Sequence, residues 1–209
     1  MEAFALSSHR RALVAQTDGA FREEIVPSFG LEADEGPRAD ASLEKMAGLR
    51  ALIEGGRLTA AVSSQISDGS AALLVASEAA VRRHGLTPLA RVHSTAEVGS
   101  DPVPMLSGPI PATEKVLARA GLTIPDIDLV EVNEAFAPVV LARQREIAAD
   151  PARVNAFGGA IALGHPLGAT GAWLMTTLVH QRRRTGARYG LQTMCEGGGM
   201  ANATIIERG

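Results

Sequence analysis

Apolar residues recur along this chain with two periods, and their alternation predicts layers of helices and strands. Residues 2–18 read as a helix stopped by Gly19, followed by a short extended piece at Ile25-Val26-Pro27. From Ser28 to Ala41 the pattern lapses into acidic, turn-rich chain (FGLEADEGPRAD) that reads as an exposed loop. Leu43, Met46 and Leu49 return at helical spacing until Gly55-Gly56. The unbroken apolar run from Ala71 to Ala76 has the length of a buried strand, with Ser77 as N-cap and Gly85 as the stop of a short helix. After Pro88 come an extended LARVHSTAEV, a helix from about Pro111 to Ala120 ended by Gly121, a strand IDLVEV, and a helix from about Glu134. A further helix from about Pro166 sets Leu167, Leu174 and Leu178 along one face, and two strands, YGLQTMC and MANATIIE, follow around a glycine turn. The pattern predicts a mixed α/β layer architecture. Its opening on a helix and an acidic loop, with no sheet to pack against, reads as the middle of something larger.

Composition adds exclusions. At 46% hydrophobic and 21% charged, the 209 residues are ordinary globular material. A net charge of −3 with 3% aromatic residues supplies neither the basic surface nor the stacking side chains of a nucleic-acid binder. The run Arg182-Arg183-Arg184 reads instead as the solvated last turn of a helix. The single cysteine makes no intramolecular disulfide, MEAFALSSHRR lacks an apolar signal core, and no apolar run is long enough for a membrane span, so the cytoplasm is expected.

Three stretches depart from simple core patterning. In Val132-Asn133-Glu134-Ala135-Phe136 a polar pair sits at a strand-to-helix junction, where Asn133 reads either as a helix cap or as a functional amide. In GGAIALGHPLGATG, residues 158–171, five glycines surround His165 and Pro166 is preset for a helix's first position. This places His165 at a helix amino end with its ring aimed away from the body, where a satisfied histidine and a catalytic one are both open readings. In Cys195-Glu196-Gly197-Gly198-Gly199 the thiol reads as a buried strand-end cysteine or as a reactive group beside an oxyanion site. Nucleophile-elbow, P-loop, dinucleotide and zinc-peptidase signatures are missing, and no Cys/His cluster has metal spacing.

NEAF, GGAIALGHPLGATG and C-x-G-G-G, in that order and spacing, resemble the thiolase family, the coenzyme A-dependent acyltransferases that make or cleave 3-ketoacyl-CoA. The opening helix, GPIPAT and SSQISDGSAALL extend the resemblance over nearly the whole chain. QISDGSAALL and LQTMCEGGG look like acetyl-CoA acetyltransferase-like thiolases of bacterial lipid or steroid breakdown. The resemblance implies a layered αβαβα fold, incomplete here. Residues 1–66 would be the remainder of the loop domain, 67–86 the last strand and helix of the N-terminal domain, and 87–209 a complete C-terminal domain.

It also implies roles. Cys195 matches the base that removes or returns the α-proton of acetyl-CoA, and a thiol suits this because its pKa can be tuned toward the working pH. His165 matches the histidine that activates the nucleophile and donates to an oxyanion, and Asn133 the residue that holds a water in that oxyanion hole. Gly197 matches a backbone donor of the second hole, Phe136 a residue of the acyl pocket, and Ser64 a contact to the pantetheine arm. Coenzyme A thioesters are the implied substrates, with no permanently bound cofactor and no metal. Thiolases carry their acyl-accepting cysteine in an amino-terminal half that this sequence does not contain, and Met1 falls within the loop-domain region. Two expectations follow: an acyltransferase portion that works as a homo-oligomer or with a partner chain supplying that half, or a non-catalytic binding or assembly module. Phe157, where many biosynthetic thiolases have asparagine, is expected to narrow or reshape the site.

Overall fold

The computed structural model describes all 209 residues. Seven helices are formed: α1 (Glu2–Thr17), α2 (Leu43–Ala47), α3 (Glu78–His84), α4 (Pro109–Ala120), α5 (Ala137–Ile147), α6 (Ala160–Leu163) and α7 (Thr170–Thr185). Four strands, β1 (Arg91–Gly99), β2 (Leu129–Val132), β3 (Tyr189–Cys195) and β4 (Met200–Glu207), make one sheet in the order β1-β4-β3-β2. β4 runs antiparallel to both neighbours, while β2 is parallel to β3. Parallel pairing demands a long crossover, and the chain between β2 and β3 supplies it with α5, α6 and α7.

Side chains alternate across the pleat, so the sheet buries both faces. Val130, Val132, Leu191, Ala203 and Ile205 lie beneath α4 and α5, meeting Val116, Leu117 and Val140. Leu129 and Ile206 point the other way, under Leu178 and Val179 of α7. A second core joins Ala5 and Leu6 of α1 to Met46, Val62, Ala137 and Ile161, which fixes α1 against the segments that carry the polar motifs. On the outer strand β1, the carbonyls of Glu97 and Thr95 accept hydrogen bonds from Lys115 and Arg119 of α4, so cations cover an edge that would otherwise invite pairing.

Several expectations change. The run from Ala71 to Ala76 forms no strand, and Leu74 and Val75 are 83% and 82% exposed. A strand needs a paired neighbour, and none of the four strands runs beside this segment. α3 follows it as read, with the Ser77 hydroxyl accepting from the Ala80 N–H at 3.2 Å and Gly85 closing the end at φ 61°, yet it buries none of its residues. α7 begins at Thr170 rather than Pro166, so Leu167 is exposed while Leu174 and Leu178 are buried. Arg182 is buried too, donating to the carbonyls of Leu89 and Ala187. No helix is long and apolar enough to cross a membrane.

Candidate active site

Asn133 extends the pairing of β2 by one residue, its N–H donating to the Thr193 carbonyl of β3 at 3.1 Å. It does not cap α5, whose N-cap position is Phe136 without a side-chain cap. Its amide reaches instead to His165, with Nδ2 3.3 Å from the ring Nε2, and its Oδ1 is buried with no protein partner. A buried amide oxygen left in that state is costly unless something outside the chain's own groups meets it.

The histidine is held from both ends. Its N–H donates to the Gln65 carbonyl at 2.9 Å, while the Gln65 side chain donates to the carbonyls of Gly36, Ile161 and Ala162. The next residue back, Ser64, donates its N–H to Ala135 at 3.0 Å, so residues 64–65 are stitched between the Asn133 segment and α6. Gly164 makes the turn into His165 at φ 92°, and a Cβ there would stand 2.2 Å from the Ser67 hydroxyl, so no other residue fits. The ring is half-buried, set between the Asn133 amide and the Thr170 hydroxyl.

Thr170 then decides the tautomer. Its hydroxyl lies 2.7 Å from His165 Nδ1 and 2.9 Å from the Pro166 carbonyl. A hydroxyl has one proton, and the carbonyl can only accept it, so Nδ1 carries the ring hydrogen and Nε2 presents a lone pair toward Asn133. Burial lowers the His165 pKa, which keeps the ring neutral at neutral pH.

Cys195 ends β3 and packs against Ala135 and Val139, beside Leu106 and Phe136. Burial pushes its thiol up, and the neighbouring Glu196 carboxylate adds to the shift. The resting thiol is thus moved away from neutral pH rather than tuned toward it. Cys195 and Ser64 both meet the Asn133–Phe136 segment, Cys195 by packing on Ala135 beside Phe136 and Ser64 through its N–H to the Ala135 carbonyl, while His165 meets the same segment at Asn133. Gly197 lies at the exposed turn beyond Cys195, where a Cβ would meet nothing within 4 Å.

Sequence reasoning missed the residues that hold this arrangement. The Glu134 carboxylate accepts from the Ser8 hydroxyl at 2.7 Å, the Asn155 amide at 2.9 Å and the Ile161 N–H at 3.2 Å, which is why α5 starts three residues later than the pattern suggests. Burial raises its pKa and those donors pull back. Gly159 passes so close that a Cβ would fall 2.4 Å from Glu134 Cδ. Asn155 also accepts from the Val132 N–H at 2.8 Å and donates to the Val132 carbonyl at 2.9 Å, imitating a neighbouring strand. Phe157 packs with Ala15, Ala20 and Phe21 and meets the Phe21 ring edge-on, ring centroids 5.9 Å apart.

Residues 86–208 match the family description "Thiolase, C-terminal domain", and residues 1–79 match "Thiolase, N-terminal domain". The chain is 62% identical to the steroid 3-ketoacyl-CoA thiolase FadA6 of Mycobacterium tuberculosis, covering 100% of this chain and 52% of that protein. It is 48% identical to an acetyl-CoA acetyltransferase of Shinella zoogloeoides, covering 99% and 55%. The human mitochondrial 3-ketoacyl-CoA thiolase in complex with CoA superposes with a TM-score of 0.94 at 39% identity, over 100% of this chain and 54% of that one. The chain spans about half the length of the relatives it matches. It belongs to the thiolase family, and its fold is an incomplete thiolase fold.

Proposed function

We propose that this chain supplies the proton-transfer and oxyanion half of a thiolase-type acyl transfer, the cleavage or formation of 3-ketoacyl-CoA. The observation that carries the reading is the His165–Asn133 pair at 3.3 Å, with the histidine tautomer fixed by Thr170. With hydrogen on Nδ1, Nε2 takes the proton of an attacking thiol and only then becomes a donor to an oxyanion, beside the Asn133 amide. Cys195 acts as the base toward the α-carbon, since a thiol whose pKa is raised by burial forms a stronger base once deprotonated, at the cost of a smaller thiolate fraction at neutral pH. Gly197 contributes a backbone donor to the second oxyanion, Phe136 lines the acyl pocket, and Ser64 meets the pantetheine arm.

In this reading the acyl-carrying cysteine lies outside these 209 residues, because the one cysteine present is the base. Residues 1–66 belong to the loop domain, 67–86 close the N-terminal domain, and 87–209 form the C-terminal domain. The likeness to a steroid 3-ketoacyl-CoA thiolase supports acyl groups from lipid or steroid breakdown, handled in the cytoplasm by an oligomer or by a complex with a chain bearing the other half. The test combines the purified chain with the separately produced amino-terminal half of the related acetyl-CoA acetyltransferase. Acetoacetyl-CoA thiolysis and deuterium exchange into acetyl-CoA are then measured. Both should appear in the mixture and be lost with Cys195→Ser; a soluble complex with neither activity would favour the non-catalytic binding module.

A further inference from the structure

Phe157, which the catalytic site does not use, forms part of the floor of a second site. A cavity of about 390 Å³ opens where the carboxyl ends of α1 and α7 approach the Ala156-Phe157 turn. Val14, Ala15, Ala20 and Phe157 give it an apolar floor, and the Phe157 ring is held by the edge of Phe21. Its rim carries Arg10, Arg11 and Arg184 against one carboxylate, that of Asp18. We propose that this cavity binds an organic carboxylate with an apolar body, seated on the Phe157 floor with its carboxylate among the three guanidiniums.

None of the three arginines forms an ion pair within the chain. Arg11 donates to the carbonyls of Val154, Asn155 and Pro151, at 2.6, 3.2 and 3.2 Å, and Arg184 reaches the Asp18 carbonyl at 3.5 Å. Carbonyl partners orient a guanidinium without neutralising it; the Arg11 charge is also felt by the buried Glu131 and Glu134 carboxylates, so Arg10 and Arg184 hold the charge most available to an incoming anion. Guanidinium groups match carboxylates in geometry and form charge-assisted bonds to them. The apolar floor beneath selects against a small hydrated anion, which gains nothing by covering it, and the volume lies in the range of small-ligand sites, about 300–1,000 Å³. Asn133, Phe136, His165 and Cys195 do not line the cavity, and the inference does not rest on the acyltransferase reading.

The probe is decanoate, titrated calorimetrically into the whole chain, with 1-decanol and decyltrimethylammonium as neutral and cationic counterparts. Saturable one-to-one binding is expected for decanoate, with decanol weaker by about tenfold or more and the cation not binding. The Arg10→Ser/Arg184→Ser double variant, both positions lying at the surface, should keep its melting temperature and lose about tenfold in affinity. A His165→Asn variant should bind as the wild type does, which separates this cavity from the catalytic cleft. Equal binding of decanoate and decanol, binding unchanged in the double arginine variant, or no saturable binding would overturn the proposal.

Discussion

Replacing Glu24 by glutamine should stabilise the protein above neutral pH and leave its stability in acid almost unchanged. The Glu24 carboxylate accepts one hydrogen bond, from the Thr177 hydroxyl of α7 at 2.7 Å, and its other oxygen is buried without a partner. Burial raises its pKa to about 7 from the ordinary 4.5; the Thr177 bond opposes the shift and the nearby Asp34 carboxylate adds to it. Between these two values the folded protein binds the proton that the unfolded chain has released, so stability falls as pH rises through that window and levels off above it. A shift of about 2.5 units corresponds to roughly 3 kcal/mol, so the glutamine protein should lead by about that amount at pH 8 and by almost nothing below pH 4.5. For a chain of this size the lead corresponds to roughly 6–12 °C in melting temperature.

The assay is urea unfolding of both proteins, followed by circular dichroism at intervals from pH 4.5 to 8.5. Groups whose surroundings the substitution leaves unchanged titrate alike in both proteins and cancel in the difference. Any fixed cost of housing the glutamine amide shifts the whole curve without changing its slope. A difference that is flat from pH 5 to 8 would refute the reasoning, whatever its sign. Thr177→Val supplies a control in the opposite direction, because it removes the bond that holds the pKa down and should move the midpoint of the window higher.

Four further outcomes are expected. Arg143 is 1% exposed, and burial lowers its pKa to about 10. Its Nε donates to Thr113, but both terminal nitrogens lack partners, so Arg143→Met should raise stability by about 1–4 kcal/mol in thermal unfolding. Asn155→Ala strips partners from Val132 and Glu134 and should cost about 2–4 kcal/mol in the same measurement, with the loss recovered only in part by Asp. Thr170→Val should release the Nδ1 hydrogen of His165, so the nitrogen-15 shifts of the ring move from the Nδ1–H pattern toward a tautomer mixture while the rest of the spectrum stays folded. Cys195, whose thiol burial pushes up, should react with iodoacetamide more slowly at pH 8 than an exposed cysteine and gain speed only in more alkaline buffer.

What the sequence disclosed and what it withheld have distinct physical causes. The pairing of β3 with β4 around the glycine turn and the Ser77–Gly85 helix were legible because their signals are local: alternation, a capping hydroxyl and a left-handed glycine. Ala71–Ala76 misled because an apolar run reports a wish to be buried, whereas a strand also needs an edge to pair with. Asn133, His165 and Cys195 stand out in the sequence as polar or reactive groups in glycine-rich or strand-end settings; the fold sets His165 against Asn133 and packs Cys195 on Ala135, two residues further along the same segment. Glu134 and Asn155 were passed over although each lies inside or beside a motif. Their importance comes from long-range hydrogen bonds, such as the one from Ser8, 126 residues away in sequence, and no local pattern encodes such partners.

Those long-range bonds bear on how the site can work with a second half. The groups that orient Asn133 and His165 are the backbone of Thr193, the carbonyl of Gln65 and the hydroxyl of Thr170, all contributed by this chain. Ser8 in α1 anchors both the Glu134 carboxylate and the Gly159 N–H, so α1 helps hold the turn beside Asn133 rather than merely cover it. The pair is therefore oriented before any substrate or partner arrives, and the entropy of ordering it is already spent in folding. In the proposed acyl transfer, a second half would dock and present a thiol to a lone pair that is already aimed. It follows that variants at Ser8 or Thr170 should weaken turnover in a reconstituted complex without weakening the association itself, whereas a site built only on docking would lose both together.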